Sequence, residues 1–196
     1  PVTVISRCQR VELLPLAVDE VEGALNSNWG VEPQKAKLMA RLSHGCLGWA
    51  VRALDERLLQ QRAERLEELL NIVSADGEER FVYAARLAAQ FRQDRKLVQE
   101  RLDLWLDWWH DLLLVTVDLN DNITNVDQLA TLVDKARGYH LTQIRAFING
   151  IRAASEQLRQ NANPQLVLEM LMLSIPEVER HDWGNPAIAQ FEVNYG

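Results

Sequence analysis

Between Asp94 and about Val117 the sequence supports one long helix that is apolar on two faces, and this limits the folds open to the chain. Leu102, Trp105, Leu106, Trp109, Leu112 and Leu113 fall on one face, and Leu104, Trp108 and Val115 make a second. A helix with two apolar faces must be covered from two sides, so it belongs at the centre of a helical bundle. Asp94 suits its N-cap, because a short carboxylate can accept from the free N–H groups of a first turn. The tryptophans read as bulky core. A platform for stacking bases needs exposed aromatics among basic side chains, and Asp103, Asp107 and Asp111 carry the opposite charge.

Helical spacing continues on either side. Val18, Val21 and Leu25 mark a helix from Val18 to about Asn26, stopped by Asn26–Gly30. Pro33 opens a second that turns Ala36, Leu38, Met39 and Leu42 to a core, and Ser43-His44-Gly45-Cys46 reverses the chain. A third places Leu47, Val51, Leu54 and Leu58 on one stripe, with Gly48 and Ala50 allowing close approach on the opposite side. Leu58, Leu59, Leu66, Leu69, Leu70 and Val73 mark a long helix ended by Ser74–Gly77, and Phe81, Ala84, Ala85, Ala88 and Phe91 the next. After the central helix, Asn125 and Gln128 make a capping-box-like start for Leu129, Leu132, Val133 and Ala136, closed by Gly138. Leu141, Ile144, Phe147, Ile148, Ile151, Ala154 and Leu158 define another long helix. Asn163-Pro164 starts the last, with Leu166, Val167, Met170 and Leu171 expected to face inward.

Strands are nearly absent; only Val11–Leu16, with Pro15, reads as an extended strap. The expected fold is all-α, with a three-helix unit over 1–55, a five- to six-helix bundle over 56–173 and a loosely packed tail over 174–196.

A net charge of −7 argues against broad phosphate binding by the chain as a whole. Cys8 and Cys46 form no disulfide framework, which fits a reduced, cytoplasmic setting. His44 and Cys46 find no further ligands at metal spacing in His110, His140 or His181, so no metal and no cofactor is expected. No apolar run is long enough to span a bilayer, so no membrane role is expected. Residues Pro1–Ile5 read as the cut edge of a longer protein. There is no Gly-rich phosphate loop ending in Lys-Ser/Thr, no His-Glu-x-x-His and no Gly-x-Ser-x-Gly, and the paired carboxylates Glu67-Glu68 and Glu78-Glu79 sit on helix surfaces. The chain by itself reads as no enzyme.

One short stretch ahead of the first helix holds a group with specific chemistry. In Ile5-Ser6-Arg7-Cys8-Gln9-Arg10, Arg7 has a planar, permanently charged fork suited to bidentate contact with phosphate. Ser6-Arg7-Cys8, the extended Val11–Leu16 and a three-helix unit whose last helix opens Leu42-Ser43-His44-Gly45-Cys46-Leu47-Gly48-Trp49-Ala50 together resemble the lid of the AAA+ clamp-loader subunits of bacterial DNA polymerase III. The later helices, with Trp108-Trp109 in the central one and the start Ile123-Thr124-Asn125-Val126-Asp127, resemble the collar domain of that family. In the lid's final helix Gly48 follows the delta prime pattern and Trp49 departs from it, which favours a delta prime type over tau/gamma.

The resemblance implies that 1–55 is the lid and 56–173 the collar, and that the nucleotide-binding module lies outside this chain. It implies a part of the DNA polymerase III holoenzyme, a DNA-directed DNA polymerase, that helps to load the sliding clamp on DNA in replication. Partners would be the tau/gamma and delta subunits through the collar, and the sliding clamp and primed DNA only through the whole complex. Arg7 would act as an arginine finger toward a neighbouring ATP site. Gly48 and Trp49 would occupy the lid's sensor position, where the indole of Trp49, with one donor and no charge, cannot sense phosphate as Arg does. The alternatives are a tau/gamma-type fragment, a free-standing helical scaffold, and a nucleic-acid-binding helical module, which would show salt-dependent DNA affinity.

Overall fold

Short polar residues and prolines set most of the helix starts. The computed structural model describes residues 14–178, and among these it has nine α-helices, two single-turn 3-10 helices and no strand, an all-α chain. Ser6, Arg7, Cys8 and the first part of the strap lie outside the described residues, as does the tail from 179 onward. The helices are α1 (Val18–Trp29), α2 (Pro33–Leu42), α3 (Leu47–Arg52), α4 (Glu56–Ser74), α5 (Gly77–Gln93), α6 (Arg95–Thr116), α7 (Leu129–Ala136), α8 (Leu141–Arg159) and α9 (Pro164–Leu173). Two compact units result, divided inside α4. The first runs to Leu66 and includes Thr124–Asp127; the second is Glu67–Ile123 with the residues from Gln128 onward.

In the first unit α1 continues through Asn26 to Trp29 and ends on Gly30 at φ 62°. There the N–H of Gly30 reaches the Asn26 carbonyl at 3.1 Å and that of Val31 the Leu25 carbonyl at 3.3 Å. Val21, Leu25, Ala36, Met39, Ala40, Ala50 and Ala53 form the core, and the four alanines let the helix backbones approach closely. Gly45 closes the α2–α3 turn at φ 80°, and its carbonyl accepts the Leu16 N–H at 3.0 Å. A Cβ on Gly45 would stand 2.5 Å from the Leu16 carbonyl oxygen, so both the backbone angle and the strap's approach require glycine.

The third helix is shorter than its apolar stripe suggested. It ends at Arg52, where Leu54 and Asp55 N–H groups turn back to Val51 and Arg52. The Asp55 carboxylate then accepts the Arg57 N–H at 3.1 Å and opens α4. Leu54 and Leu58 stay in phase across this break because they are four residues apart, so periodicity alone does not reveal it. At Gly48, where close approach was expected, a Cβ would meet nothing within 4 Å, so among the described residues no neighbouring element occupies that space.

In the second unit α6 packs against α5, α7 and α8, while α9 packs against α5 and α8. Asp94 caps α6 as expected, accepting the Leu97 N–H at 3.1 Å, and Asp76 caps α5 by accepting from Glu79 at 2.9 Å. Trp105, Trp108 and Trp109 are all buried. Trp105 stacks on Tyr83 with centroids 6.0 Å apart, and Trp109 meets Phe147 edge-on at 4.7 Å and Tyr139 at 5.3 Å. The tryptophans are core, and Asp111, on the same helix, is buried with them.

Two local expectations change. The helix expected from Asn125 begins at Leu129 after a 3-10 turn, Val126–Gln128, and Asn125 is fully buried. In α9 the buried residues are Val167, Leu168, Leu171 and Met172, whereas Leu166 and Met170, expected inward, are 59% and 60% exposed. Seven of the ten α9 residues are apolar, so periodicity does not single out one face and the neighbouring helices decide. Packing continues past α9: Ile175 is buried, and Val178 stands against Gly138.

Candidate functional site

The sequence singled out Gly48 and Trp49 in α3. Trp49 is half-buried and packs on the alanine-rich core of the first unit. Gly48 is exposed and its carbonyl accepts from Arg52 Nε at 3.2 Å. The pair thus combines a structural indole with an open backbone position. The Cys46 thiol is free and exposed, and no group of His, Cys, Asp and Glu side chains among the described residues could hold a metal ion. No helix among them is long and apolar enough to cross a membrane.

Two polar clusters were not foreseen. Arg62, on α4, presents its fork to Asp127, with Nη1 donating to one carboxylate oxygen at 2.9 Å and Nη2 to the other at 3.0 Å. The same Nη2 donates to the buried Asn125 side-chain oxygen. This bidentate contact fixes Thr124–Asp127 within the first unit, a geometry an ammonium could not supply. The partners are 65 positions apart, so no spacing rule could have joined them.

In the second unit Glu68 accepts from both Arg86 and Arg101, joining α4, α5 and α6. The Arg86 guanidinium also lies 5.0 Å from the centroid of the Tyr83 ring. Burial pushes the Tyr83 phenol up to about 12, and the negative charge of Glu68 adds to the shift. These groups hold the helices together, with one carboxylate shared between two guanidinium groups.

A different arrangement lies on the outside of the second unit. At 3.6 residues per turn, Leu166, Met170 and Leu173 on α9 project within about 60° of one another, and Val82, Ala85 and Ala89 on α5 do the same. Leu173 is 59% exposed and Val82 66%. Arg80 Nη1 donates to the Ile175 carbonyl at 3.5 Å, which sets the first turn of α5 beside the end of α9. Phe81, also on α5, is 41% exposed. Exposed apolar side chains grouped along one side of a helix are suited to docking against another protein.

Residues 56–177, from the first residue of α4 to the packed segment beyond α9, match the family described as DNA polymerase III, delta subunit, C terminal. The matched region is more than half of the chain. No curated protein matches the chain.

Proposed function

Because the chain belongs to this C-terminal family of the DNA polymerase III delta subunit, a family of clamp-loader proteins, we propose that it is the lid and collar part of a delta prime subunit. In this reading α4–α9 are the collar, by which the chain joins tau/gamma and delta subunits in the cytoplasm. The sliding clamp and primed DNA are met only through the assembled loader. The observation that carries the reading is that the family match covers all six helices from α4 to α9. The net charge of −7 supports a chain that assembles with proteins in preference to binding DNA by itself.

The residues before α1 supply the finer part. Arg7, flanked by Ser6 and Cys8, acts in trans as an arginine finger on the nucleotide of a neighbouring subunit, neutralising charge on the transferring phosphoryl group. Trp49 replaces a phosphate-sensing cation at the lid, so this subunit does not use nucleotide of its own as a switch. No cofactor is assigned to this part of the protein.

Size-exclusion chromatography of the chain with purified tau/gamma-type and delta-type subunits tests assembly. The expected result is a joint peak at micromolar concentration, and separate elution under all conditions removes the proposal. In an assembled loader Arg7→Ala and Arg7→Lys should both cut ATP turnover by about 10³-fold or more while the complex stays intact. Unchanged turnover in either variant discards the finger.

A further inference from the structure

We infer that the cavity between the start of α6 and the end of α8, with the arginine stripe that leads into it along α8, is a docking site for a short acidic peptide segment that carries an apolar side chain. This goes beyond the assembly reading and does not rest on it, since every group involved belongs to the second unit of this chain. The cavity has a volume of about 410 Å³ and is lined by Phe91, Arg95, Lys96, Gln99, Leu158 and Arg159. Phe91 and Leu158 are buried and give it an apolar floor, whereas Arg95, Lys96 and Arg159 are exposed. Seven residues fall about 20° short of two helical turns, so Arg145, Arg152 and Arg159 lie on one exposed stripe of α8, about 10 Å from one to the next. The last of them lines the cavity. The side chains of Arg145 and Arg152 meet no hydrogen-bond or ion-pair partner among the described residues.

The carboxylates on these two helices near the cavity are engaged. Asp94 caps α6, and Asp103 accepts from Gln99 Nε2 at 3.1 Å. Glu100 stands 3.8 Å from Lys96 Nζ, and Glu156, the one carboxylate of α8, accepts from Arg159 Nε at 3.1 Å and from Gln160 Nε2 at 2.8 Å. Exposed pairs of this kind contribute little, so a ligand carboxylate can replace them at Lys96 and Arg159. The floor then selects the class of anion. A nucleic acid needs an open ring face on which to stack, and the Phe91 ring is buried with the Arg95 guanidinium 5.4 Å from its centroid. A long run of phosphates would also pass Glu100, Asp103 and Glu156. A peptide can set one apolar side chain on Phe91 and Leu158 while its carboxylates meet Arg159, Arg152 and Arg145 in turn.

Fluorescence anisotropy with the full chain tests this, the probe being a labelled peptide of sequence Asp-Glu-Asp-Glu-Leu-Phe. The expected result is binding that weakens as salt is raised. Arg152→Glu and Lys96→Glu, single changes at exposed positions on separate helices, should each raise the Kd about fivefold or more. Circular dichroism should show unchanged helicity in both. Lys37→Glu, an equal change of charge at an exposed position of the first unit, should bind as the unaltered chain does. Replacing Leu-Phe in the peptide by Ser-Ser should also raise the Kd about fivefold or more, because the apolar floor is then left uncovered.

No binding at about 1 mM peptide overturns the inference. Binding that neither Arg152→Glu nor Lys96→Glu weakens would put the peptide elsewhere on the chain, and equal binding of the Ser-Ser peptide would remove the cavity from the site; either result overturns it as well. A short single-stranded oligothymidylate that binds more tightly than the peptide, and loses that binding in Arg152→Glu, would assign the stripe to nucleic acid and overturn the peptide.

Discussion

The two compact units are built on different principles. The first closes over Ala36, Ala40, Ala50 and Ala53 with one methionine and a few branched residues, and no aromatic side chain is fully buried in its described part. The second closes over Trp105, Trp108, Trp109, Phe147 and Tyr83. Small residues bring helix axes close but remove little apolar surface from water, so the first unit depends on backbone turns and polar ties. Large aromatics bury far more surface each and lock one another through ring contacts, so the second unit depends on volume. Substitutions of opposite kind should therefore damage the two units.

The strongest way to sharpen this contrast is Trp109→Ala. The side chain is 1% exposed and meets two other rings, so its removal should cost about 3–5 kcal/mol. Denaturant titration followed by indole NMR signals checks this: those of Trp105 and Trp108 should broaden first while those of Trp29 and Trp49 persist. Loss of all four together would show that the units do not differ as described.

Gly45→Ala is the converse experiment. It forces an alanine to φ 80° and pushes a Cβ into the Leu16 carbonyl, and should cost about 2–3 kcal/mol. Amide exchange should accelerate in α1–α3 and leave α6 and α8 protected.

A smaller effect is expected at the Arg62 fork. Asp127→Ala takes the carboxylate away from a guanidinium that is 12% exposed, leaves it the neutral Asn125 oxygen, and should cost about 2 kcal/mol. Arg62→Met removes the buried charge as well and should cost less. Equal losses in urea titrations of the two variants would mean that the salt link is solvated.

Smallest at neutral pH is Tyr83→Phe, and here the effect depends on pH. The folded-state phenol titrates at about 12 against an unfolded value near 10, so its burial contributes stability in full below pH 10 that is lost as pH rises toward 12. The phenylalanine variant has no proton to lose. Its stability should therefore fall less than that of the unaltered chain between pH 10 and 12, measured by thermal unfolding across that range; parallel decline would show that Tyr83 is not the titrating group.

Much of the fold is legible in local signals. Pro33 and Pro164 open helices, Asp94 caps the central one, and Gly30 and Gly45 take left-handed angles in turns marked by glycine. The end of α3 is not legible, because Leu54 and Leu58 keep the helical phase across the turn at Ala53–Asp55. The candidate surface is legible only as composition: α9 is apolar around its circumference, and the rule that correctly places Val167 and Leu171 inward misplaces Leu166 and Met170.

Helix type, number and most boundaries were determined by the sequence alone, because they rest on bonds between residues three to four apart and on capping groups within the same turn. Which side of α9 is covered, and that Arg62 meets Asp127 and Glu68 meets Arg86 and Arg101, were decided only by the tertiary structure. Those contacts join residues far apart in the chain, and an apolar side chain is buried only where the fold brings a neighbouring element to cover it.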